Sequence, residues 1–246
     1  MTDEGHHGEL AARRGNPSFV WRAGQERRLD LVRQFVPLEN KCLLDVGCGV
    51  GMYTAAFARY TPHVYGVEVE LPRAREAHGV TPKVTQAVGE ALPYGDNRFD
   101  VVFSHEVLEH VVEDRTCASE MVRVTQRGGH IVVFAPNRLY PFETHGIYWR
   151  GRYHFGNKPL VNWLPDVLRN RLAPHVRAYT ARTLWELFAD QPVRRLVHIQ
   201  IFPGYDNIAA RRPRMSAVLR KLTYTLERTP LRAVGLSHLM VLEVTG

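Results

Sequence analysis

A strand that runs directly into a glycine-rich turn and a helix constrains this chain more than any other feature of its sequence. The residues LLDVGCGVG, Leu43 to Gly51, join a short apolar run to three glycines with the spacing G-x-G-x-G. Glycine has no Cβ, so such a turn can adopt left-handed backbone angles and let a ligand reach the main chain. The unbonded amides at the start of the following helix face the same point. The turn therefore predicts a ligand-binding site.

Two acidic residues near this turn narrow the class of ligand. Dinucleotide-binding folds use the spacing G-x-G-x-x-G, whereas Met52 stands at the third glycine position here. Asp45 ends the strand, where a carboxylate repels a pyrophosphate and attracts an ammonium group. Glu68 ends the next apolar segment, about 20 residues past the turn, where a carboxylate can accept both hydroxyls of a ribose. A dinucleotide oxidoreductase stays open as an alternative.

Strand and helix signals alternate along the first half of the chain. Such alternation predicts an α/β fold with a doubly wound parallel sheet, whose ligand lies at the carboxyl ends of the strands. Gly79 and Gly128 are expected at helix ends. A leading helix is expected from Phe19 to Val36. We predict strands over 42–46, 63–68, 83–87, 99–104, 130–135, 193–201 and 238–244, and helices over 52–60, 72–78, 114–126 and 182–190.

The remaining segments define the expected domain organisation. Residues 1–17 are polar and are predicted to be disordered, and residues 18–246 are predicted to form a single domain with an insertion at 138–179. The stretch from Arg138 to Pro165 is rich in aromatic residues, Gly, His and Pro without a sustained period. It is predicted to be a long ordered loop or cap, and long loops at the ligand end of a sheet usually carry function.

Four motifs, in order, resemble the class I S-adenosylmethionine-dependent methyltransferases, in the branch called type 11 that includes quinone-biosynthesis methyltransferases. They are LLDVGCGVG, HVYGVEVE, VGEALPYGDNRFDVVFSHEVLEHV and RVTQRGGHIVVFAPN, and they cover most of residues 41–137. The resemblance implies a Rossmann-like, mostly parallel seven-stranded sheet with an antiparallel last strand and a substrate-side insertion after strand 5. It also implies an enzyme that uses S-adenosyl-L-methionine as its cofactor, a transferase of class EC 2.1.1.

The resemblance assigns the cofactor site residue by residue. Backbone amides at Gly47 and Gly49 are expected to frame the methionine part, Asp45 to accept from its amino group, and Glu68 to hold the ribose. Val88 stands where the family often has an aspartate, which removes one adenine acceptor. Leu92 is expected to pack on the adenine ring, and Arg22 or Arg27 is a candidate to reach the donor carboxylate. The rest of the predicted site is Cys48, Gly51, Gly89, Glu90 and His105.

The acceptor side offers fewer signals. His105 and Glu106 follow the fourth predicted strand and are expected to border the sulfonium, as the corresponding family loop does, and His105 is one of the candidate catalytic residues. His145 and Glu143, in the insertion, are the candidates for a general base, because a histidine has a suitable pKa for taking a proton from a hydroxyl. Tyr148 and Trp149 are expected to form walls of an acceptor pocket. Two alternatives stay open: His145 hydrogen-bonds a turn, or the acceptor is acidic enough to need no base.

Composition limits the class of protein and the location. No run approaches the roughly 20 apolar residues of a membrane span, and the N-terminus has no apolar signal-peptide core, so we expect a cytoplasmic protein. The three cysteines show no metal-ligand spacing, and no metal site is predicted. Residues 1–149 carry 16 Lys and Arg against 19 Asp and Glu, whereas residues 150–246 carry 16 against 6. Such an asymmetry suggests an anionic partner or a solvated arginine-rich face.

The first hypothesis is a methyltransferase that acts on a small-molecule or lipid- or sugar-linked acceptor. An oxygen atom is the preferred site of methylation. The alternative is a nucleic-acid methyltransferase that uses the basic C-terminal half. It is disfavoured because the chain lacks the Pro-Pro and Pro-Cys signatures of base-modifying enzymes. A basic amphipathic helix from Met215 to Arg228 offers peripheral membrane contact as a third hypothesis, although we expect its apolar stripe to pack on the sheet. The oligomeric state is not indicated.

Overall fold

The computed structural model describes residues 22–246. The predicted disordered segment 1–17 and the start of the leading helix at Phe19 lie outside these described residues. Within them the strands are β1 (Leu43–Val46), β2 (Val64–Glu68), β3 (Val84–Gln86), β4 (Phe99–His105), β5 (Thr125–Pro136), β6 (Phe142–Glu143), β7 (Ile147–Trp149), β8 (Arg152–His154), β9 (Lys158–Pro159), β10 (Val193–Ile201) and β11 (Ser237–Val244).

Helices cover both faces of the sheet and connect its strands. In residues 22–246 they are α1 (Ala23–Phe35), α2 (Met52–Phe57), α3 (Leu71–His78), α4 (Asp114–Val124), α5 (Asp166–Leu172), α6 (Ala181–Glu186), α7 (Asp206–Ala209) and α8 (Pro213–Leu226). Short 3₁₀ turns occur at Val161–Trp163 and Pro230–Val234.

In this described part of the chain, seven strands form one sheet in the order β10-β11-β5-β4-β1-β2-β3. The pairs among β1 to β5 are parallel, and β11 is antiparallel to both β5 and β10. This confirms the predicted α/β fold with a mostly parallel, seven-stranded, Rossmann-like sheet. The order reverses next to β1, and ligands of open α/β sheets bind at such a switch point.

Alternation along the central strands builds two cores, one on each face of the sheet. Leu43 packs on one side with Leu29 and Phe57 of the first two helices, whereas its neighbour Leu44 packs on the other side with Met121. Successive side chains of a strand point to opposite faces, so an uninterrupted apolar run is what a strand covered on both faces requires. The sheet is thereby a rigid base for the loops at its carboxyl edge.

Element boundaries differ from the predictions in one instructive place. Helix α4 was expected to continue to residue 126 and to end near Gly128, but it ends at Val124 and the next residue already begins β5. Gly128 therefore lies inside a strand with φ of 75°, and the expectation that it ends a helix was wrong. Gly79 is the C-cap of α3, as expected.

The segment after β5 contains more regular structure than the sequence indicated. Four short strands form two antiparallel pairs, β6 with β9 and β7 with β8. Helix α5 follows them and was not predicted, because its seven residues are too short to show a clear period. Two-residue and three-residue strands cannot be recognised from hydrophobic alternation either.

Helix α8 corrects a further expectation. Its apolar stripe was expected to pack on the sheet, but Met215, Val218 and Leu222 are 40%, 66% and 58% exposed.

Among the described residues, no helix has the length and apolar character needed to cross a bilayer.

The last strand provides a test of this topology. Leu242 on β11 is fully buried between β5 and β10, so Leu242→Ala is expected to lower the free energy of unfolding by about 2–5 kcal/mol through lost contacts and a cavity. The matched control is Leu231→Ala, because Leu231 is 58% exposed and its truncation should change stability by less than about 0.5 kcal/mol. Urea unfolding followed by circular dichroism measures both, and equal effects would contradict the topology.

Candidate functional site

A cavity of about 890 Å³ lies at the carboxyl ends of β1, β2 and β4. The glycine turn, Glu68 and the residues from His105 to Val107 line one part of it, and Tyr140, Phe142 and His145 of the insertion line another. Cavities of this size hold small-molecule ligands and cofactors. The motif residues from the first half of the chain and the predicted base from the insertion therefore share one space.

The glycine turn is shaped by its own hydrogen bonds. Gly47 and Gly49 have φ of 70° and 57°, in the left-handed region that favours glycine. A Cβ on Gly47 would lie 2.4 Å from Cγ2 of Val107, so a side chain there would require Val107 to move in addition to the backbone strain. The amide of Gly47 donates to the Val67 carbonyl at 2.8 Å, and that of Gly49 donates to Glu68 Oε2 at 2.9 Å. Both amides already donate hydrogen bonds within the protein. The turn therefore offers a ligand an accessible backbone surface but no free amide donor at Gly47 or Gly49.

The two predicted carboxylates both line this cavity. Glu68 accepts one backbone amide on each oxygen, from Gly49 on Oε2 and from Glu70 on Oε1, both at 2.9 Å. A carboxylate has about four lone-pair positions, so each oxygen retains the capacity to accept a further hydrogen bond. Asp45 accepts the Thr54 hydroxyl at 2.7 Å. Burial raises the pKa of Asp45 to about 7, despite the opposing Thr54 hydrogen bond.

The predicted adenine loop is only partly at the cavity. Gly89 and Glu90 line it, and Glu90 Oε1 accepts the amide of Val112 at 2.8 Å. A Cβ on Gly89 would lie 2.7 Å from Sγ of Cys117, which explains why a glycine stands there. Leu92 is 5% exposed within the hydrophobic core and does not line the cavity.

Two further residues of the glycine turn were predicted to contact the cofactor. Cys48 lines the cavity, whereas Gly51 lies against Ala77 of α3 and does not line it.

Helix α1 places arginine at the cavity, but not at both expected positions. Arg22 lines it, whereas Arg27 forms an ion pair with Glu227 and lies 3.7 Å from the ring centroid of Tyr224. Arg28 lines the cavity instead and was missed. Its position four residues before the buried Val32 puts it on the inward face of the helix, a signal that the helical period contained.

His105 forms a neutral wall of the site. Its ring lies 4.8 Å from that of Tyr53 and 5.4 Å from that of Phe134, and its Nε2 is buried without a hydrogen-bond partner among the described residues. Burial lowers the pKa of His105 to about 4. The imidazole is therefore uncharged near neutral pH and is a weak base.

The two insertion residues predicted as a general base are in direct contact. Nδ1 of His145 lies 3.1 Å from Oε1 of Glu143, and the other oxygen of Glu143 accepts from Arg169 at 2.8 Å. Burial alone would lower the pKa of His145, but the hydrogen bond to Glu143 and the nearby Glu106 carboxylate raise it above its ordinary value. Since Nδ1 is held by Glu143, Nε2 is the nitrogen left for other contacts.

Glu109 is a further functional candidate that the sequence did not reveal. Its side chain is buried, and neither carboxylate oxygen has a hydrogen-bond partner among the described residues. Burial, together with the Glu106 carboxylate, raises the pKa of Glu109 to about 8. Ligating atoms of Glu109, His110 and His145 lie within 4.8 Å of one another, which also satisfies the distance requirement for a metal ion.

The aromatic residues that line the cavity are not the two that the sequence suggested as walls of an acceptor pocket. Tyr148 borders a separate pocket with His175, and Trp149 is 54% exposed at the tip of the β7–β8 hairpin. Neither residue lines the cavity that the glycine turn and His145 share, contrary to the expectation. Tyr140, Phe142 and Phe155 provide the aromatic surface instead. Spacing along a segment without a period could not distinguish these aromatic residues from one another.

Comparison with known proteins identifies the domain. The sequence profile of a methyltransferase domain, the type 11 family, matches residues 44–133. These residues form a class I S-adenosylmethionine-dependent methyltransferase domain of type 11. An uncharacterized methyltransferase of Mycobacterium leprae (strain Br4923) is 38% identical over 116 residues, which are 44% of this chain and 42% of the relative. The chain thus matches less than half the length of that relative. The cofactor of this family is S-adenosylmethionine.

Solved structures share the fold over most of the chain, beyond the residues 44–133 that match the family. An S-adenosylmethionine-dependent methyltransferase from Mesorhizobium loti aligns with a TM-score of 0.60 at 17% identity, over 87% of this chain and 96% of that one. The [4+2]-cyclase SpnF aligns with a TM-score of 0.58 at 19% identity, over 94% and 85%. Because a cyclase has this fold, the fold alone does not identify the reaction.

The raised pKa of Asp45 predicts pH-dependent binding of S-adenosylhomocysteine. A carboxyl group with a pKa of about 7 loses its charge as the pH falls below that value, and with it the attraction for the ligand ammonium. Affinity measured by calorimetry is expected to fall about tenfold from about pH 8 to about pH 6. Asp45→Asn should bind weakly at both values. Glu76→Gln, an exposed carboxylate on α3, is the control, and unchanged pH dependence in Asp45→Asn would contradict the assignment.

The contact between Glu143 and His145 predicts how the pKa of His145 changes when Glu143 is replaced. Glu143→Gln removes the charge that stabilises the imidazolium, so the pKa of His145 is expected to fall. Histidine ring signals in an NMR pH titration measure it, with His145→Gln identifying the resonance. Glu76→Gln should leave that pKa unchanged, and a rise in Glu143→Gln would show that the carboxylate does not stabilise the charged ring.

Proposed function

We propose that this protein is an S-adenosylmethionine-dependent methyltransferase that acts, in preference at oxygen, on a small-molecule or lipid- or sugar-linked acceptor. The observation that carries the proposal is the shared cavity, which joins the Asp45 and Glu68 carboxylates to the hydrogen-bonded pair Glu143 and His145. The proposed location is the cytoplasm. The activity of the whole protein is part of the proposal, because the similarity covers less than half of this chain and less than half of the relative.

The donor side of the cavity fits S-adenosylmethionine on several counts. The backbone of the glycine turn is open to the cavity at Gly47 and Gly49, and both carboxylates line the same cavity. In the proposal Asp45 attracts the ammonium group and Glu68 accepts from the ribose hydroxyls, while Arg28 provides a positive charge for the carboxylate. The bound cofactor supplies a methyl group on a sulfonium, which already carries its leaving group. The residues therefore mainly orient the two reactants.

On the acceptor side, His145 is proposed to take the proton from a hydroxyl. Glu143 holds Nδ1, so Nε2 can accept the proton, and Arg169 holds Glu143 in turn. The imidazolium that forms is stabilised by the Glu143 charge, as in other histidine–carboxylate pairs. Because the base must be uncharged, the rate should rise with pH through the raised pKa of His145. His105, whose pKa is lowered to about 4, stays a wall of the site in this proposal.

The nucleic-acid alternative rests on the charge of the C-terminal half, 16 Lys and Arg against 6 Asp and Glu in residues 150–246. The aromatic residues Tyr140, Phe142 and Phe155 around the cavity favour a compact apolar acceptor group over a continuous polymer. They can also stack on a flipped base, so the experiment below includes RNA and DNA fractions.

The proposal predicts transfer of a labelled methyl group to an extractable acceptor. The protein is incubated with S-adenosylmethionine labelled in its methyl group and with aqueous, lipid and nucleic-acid extracts of the source organism. Mass spectrometry is expected to find label and a gain of one CH₂ unit in the aqueous or lipid fraction. His145→Gln should lower the rate about 10²–10⁴-fold, the range for loss of a general base, with donor affinity retained.

Three results would contradict the proposed methyl transfer, and a fourth would contradict only the role of His145. Label confined to nucleic acid would favour the alternative, and stronger binding of NAD than of S-adenosylmethionine in calorimetry would favour an oxidoreductase. Donor binding without transfer to any fraction would point to another reaction on the same fold. Full activity in His145→Gln would leave methyl transfer intact and remove only the proposed base. The control variant Glu76→Gln should behave as the unchanged protein in each assay.

A further inference from the structure

The insertion exposes an unusual amount of apolar surface. Among residues 22–246, ten large apolar side chains are at least half exposed, and six of them lie within the 20 residues from 149 to 168. We call these six the insertion surface. They are Trp149 at 54%, Phe155 at 62%, Leu160 at 55%, Trp163 at 55%, Val167 at 83% and Leu168 at 50% exposed. Concentrated exposed apolar residues mark an interaction site on a folded protein.

Leu160 is held outward by a strained backbone. Its φ of 62° lies in the left-handed region, which is costly for a leucine. Its amide donates to the Pro141 carbonyl, and its carbonyl accepts from Trp163 at 3.0 Å, so the turn that presents both side chains is tied down. Strain of this kind persists where the surrounding structure enforces it, and such outliers cluster at functional positions.

Positive charge accompanies these apolar side chains. Residues 138–179 contain seven Lys and Arg against two Asp and Glu. Both acids are paired, Glu143 with Arg169 in the interior and Asp166 with Arg138 at 2.9 Å. Arg150, Arg152 and Arg171 are exposed, and the first two flank Gly151 at the hairpin tip next to Trp149. Tryptophan beside arginine is the composition of segments that lie at a bilayer surface.

The rim of the cavity belongs to the same segment. Phe142 and Phe155 line the cavity and are also 38% and 62% exposed, so they lie where the cavity meets solvent. A surface bound at the insertion is therefore next to the entrance of the acceptor side.

We propose that the insertion surface docks on an anionic lipid bilayer, with its apolar side chains in the interface and its arginines at the headgroups, so that the cavity receives a lipid-linked acceptor. The inference rests on the proposed function for the identity of the acceptor, but the docking itself requires neither cofactor nor turnover. Charge complementarity argues for anionic lipid as the occupant, because residues 138–179 carry seven Lys and Arg against two paired acids, and exposed arginines near a bilayer are attracted to anionic headgroups.

Co-sedimentation with vesicles tests the docking. The full chain is mixed with phosphatidylcholine vesicles, with or without phosphatidylglycerol, at low and high salt. Binding is expected to the anionic vesicles and to weaken with salt. Trp149→Ser with Trp163→Ser should lower the partition coefficient about tenfold for each side chain. Arg150→Gln with Arg152→Gln should lower it about fivefold for each charge.

The matched control is Val218→Ser with Leu222→Ser on α8, which removes two similarly exposed apolar side chains elsewhere. This variant should bind vesicles as the unchanged protein does. Absence of binding by the unchanged protein, or loss of binding in the α8 variant, would overturn the proposal. Concentration-dependent self-association that disappears in the tryptophan variant, without vesicle binding, would overturn it in favour of a second copy of this chain.

Leu160→Gly separates docking from folding. Glycine suits a φ of 62°, so the variant should keep its thermal midpoint while its partition coefficient falls about tenfold. A lower midpoint with unchanged vesicle binding would show that Leu160 serves the fold alone and would count against the insertion surface. Calorimetry with S-adenosylhomocysteine on the same variants keeps the two proposals distinct, because failed docking with intact donor binding and methyl transfer leaves the proposed function standing.

Discussion

The carboxylate of Glu68 holds together the part of the fold on which the site depends. It accepts the Gly49 amide from the turn after β1 and the Glu70 amide at the start of the segment after β2. The amides of Gly47 and Cys48 are bound in turn by the Val67 carbonyl. Two adjacent strand ends are thereby joined into one wall, with the backbone open toward the cavity. A side chain expected to serve only the ligand also positions the turn.

A second polar network, in the insertion, has the complementary task. Arg169 of α5 holds Glu143, and Glu143 holds His145, so the imidazole is fixed although it lies in a segment of short strands. Burying these charges is costly unless each is paired, and both Arg169 and Glu143 are almost fully buried. The pairing therefore explains how a segment with little regular structure can present a histidine to the cavity in a defined orientation.

In the proposed function, the insertion also sets the character of the acceptor side. Its inner residues supply the histidine and the aromatic lining, whereas its outer residues expose tryptophan, leucine and arginine to the surroundings. The two proposals, an apolar acceptor at the inner surface and lipid at the outer surface, are consistent with each other. A cyclase also has this fold, so the fold of the sheet does not by itself identify the reaction.

Strand alternation and turn chemistry depend on near neighbours in the chain, so the sheet, the glycine turn and the two carboxylates could be predicted from the sequence. It also identified Glu143 and His145, but not Arg169, whose contact with Glu143 joins residues 26 positions apart. The sequence did not show that Arg28 lines the cavity instead of Arg27, that Leu92 lies in the hydrophobic core or that the amides of Gly47 and Gly49 are already hydrogen-bonded. Those outcomes depend on which elements pack together. In a segment without hydrophobic periodicity, the sequence does not indicate which side chains face the interior.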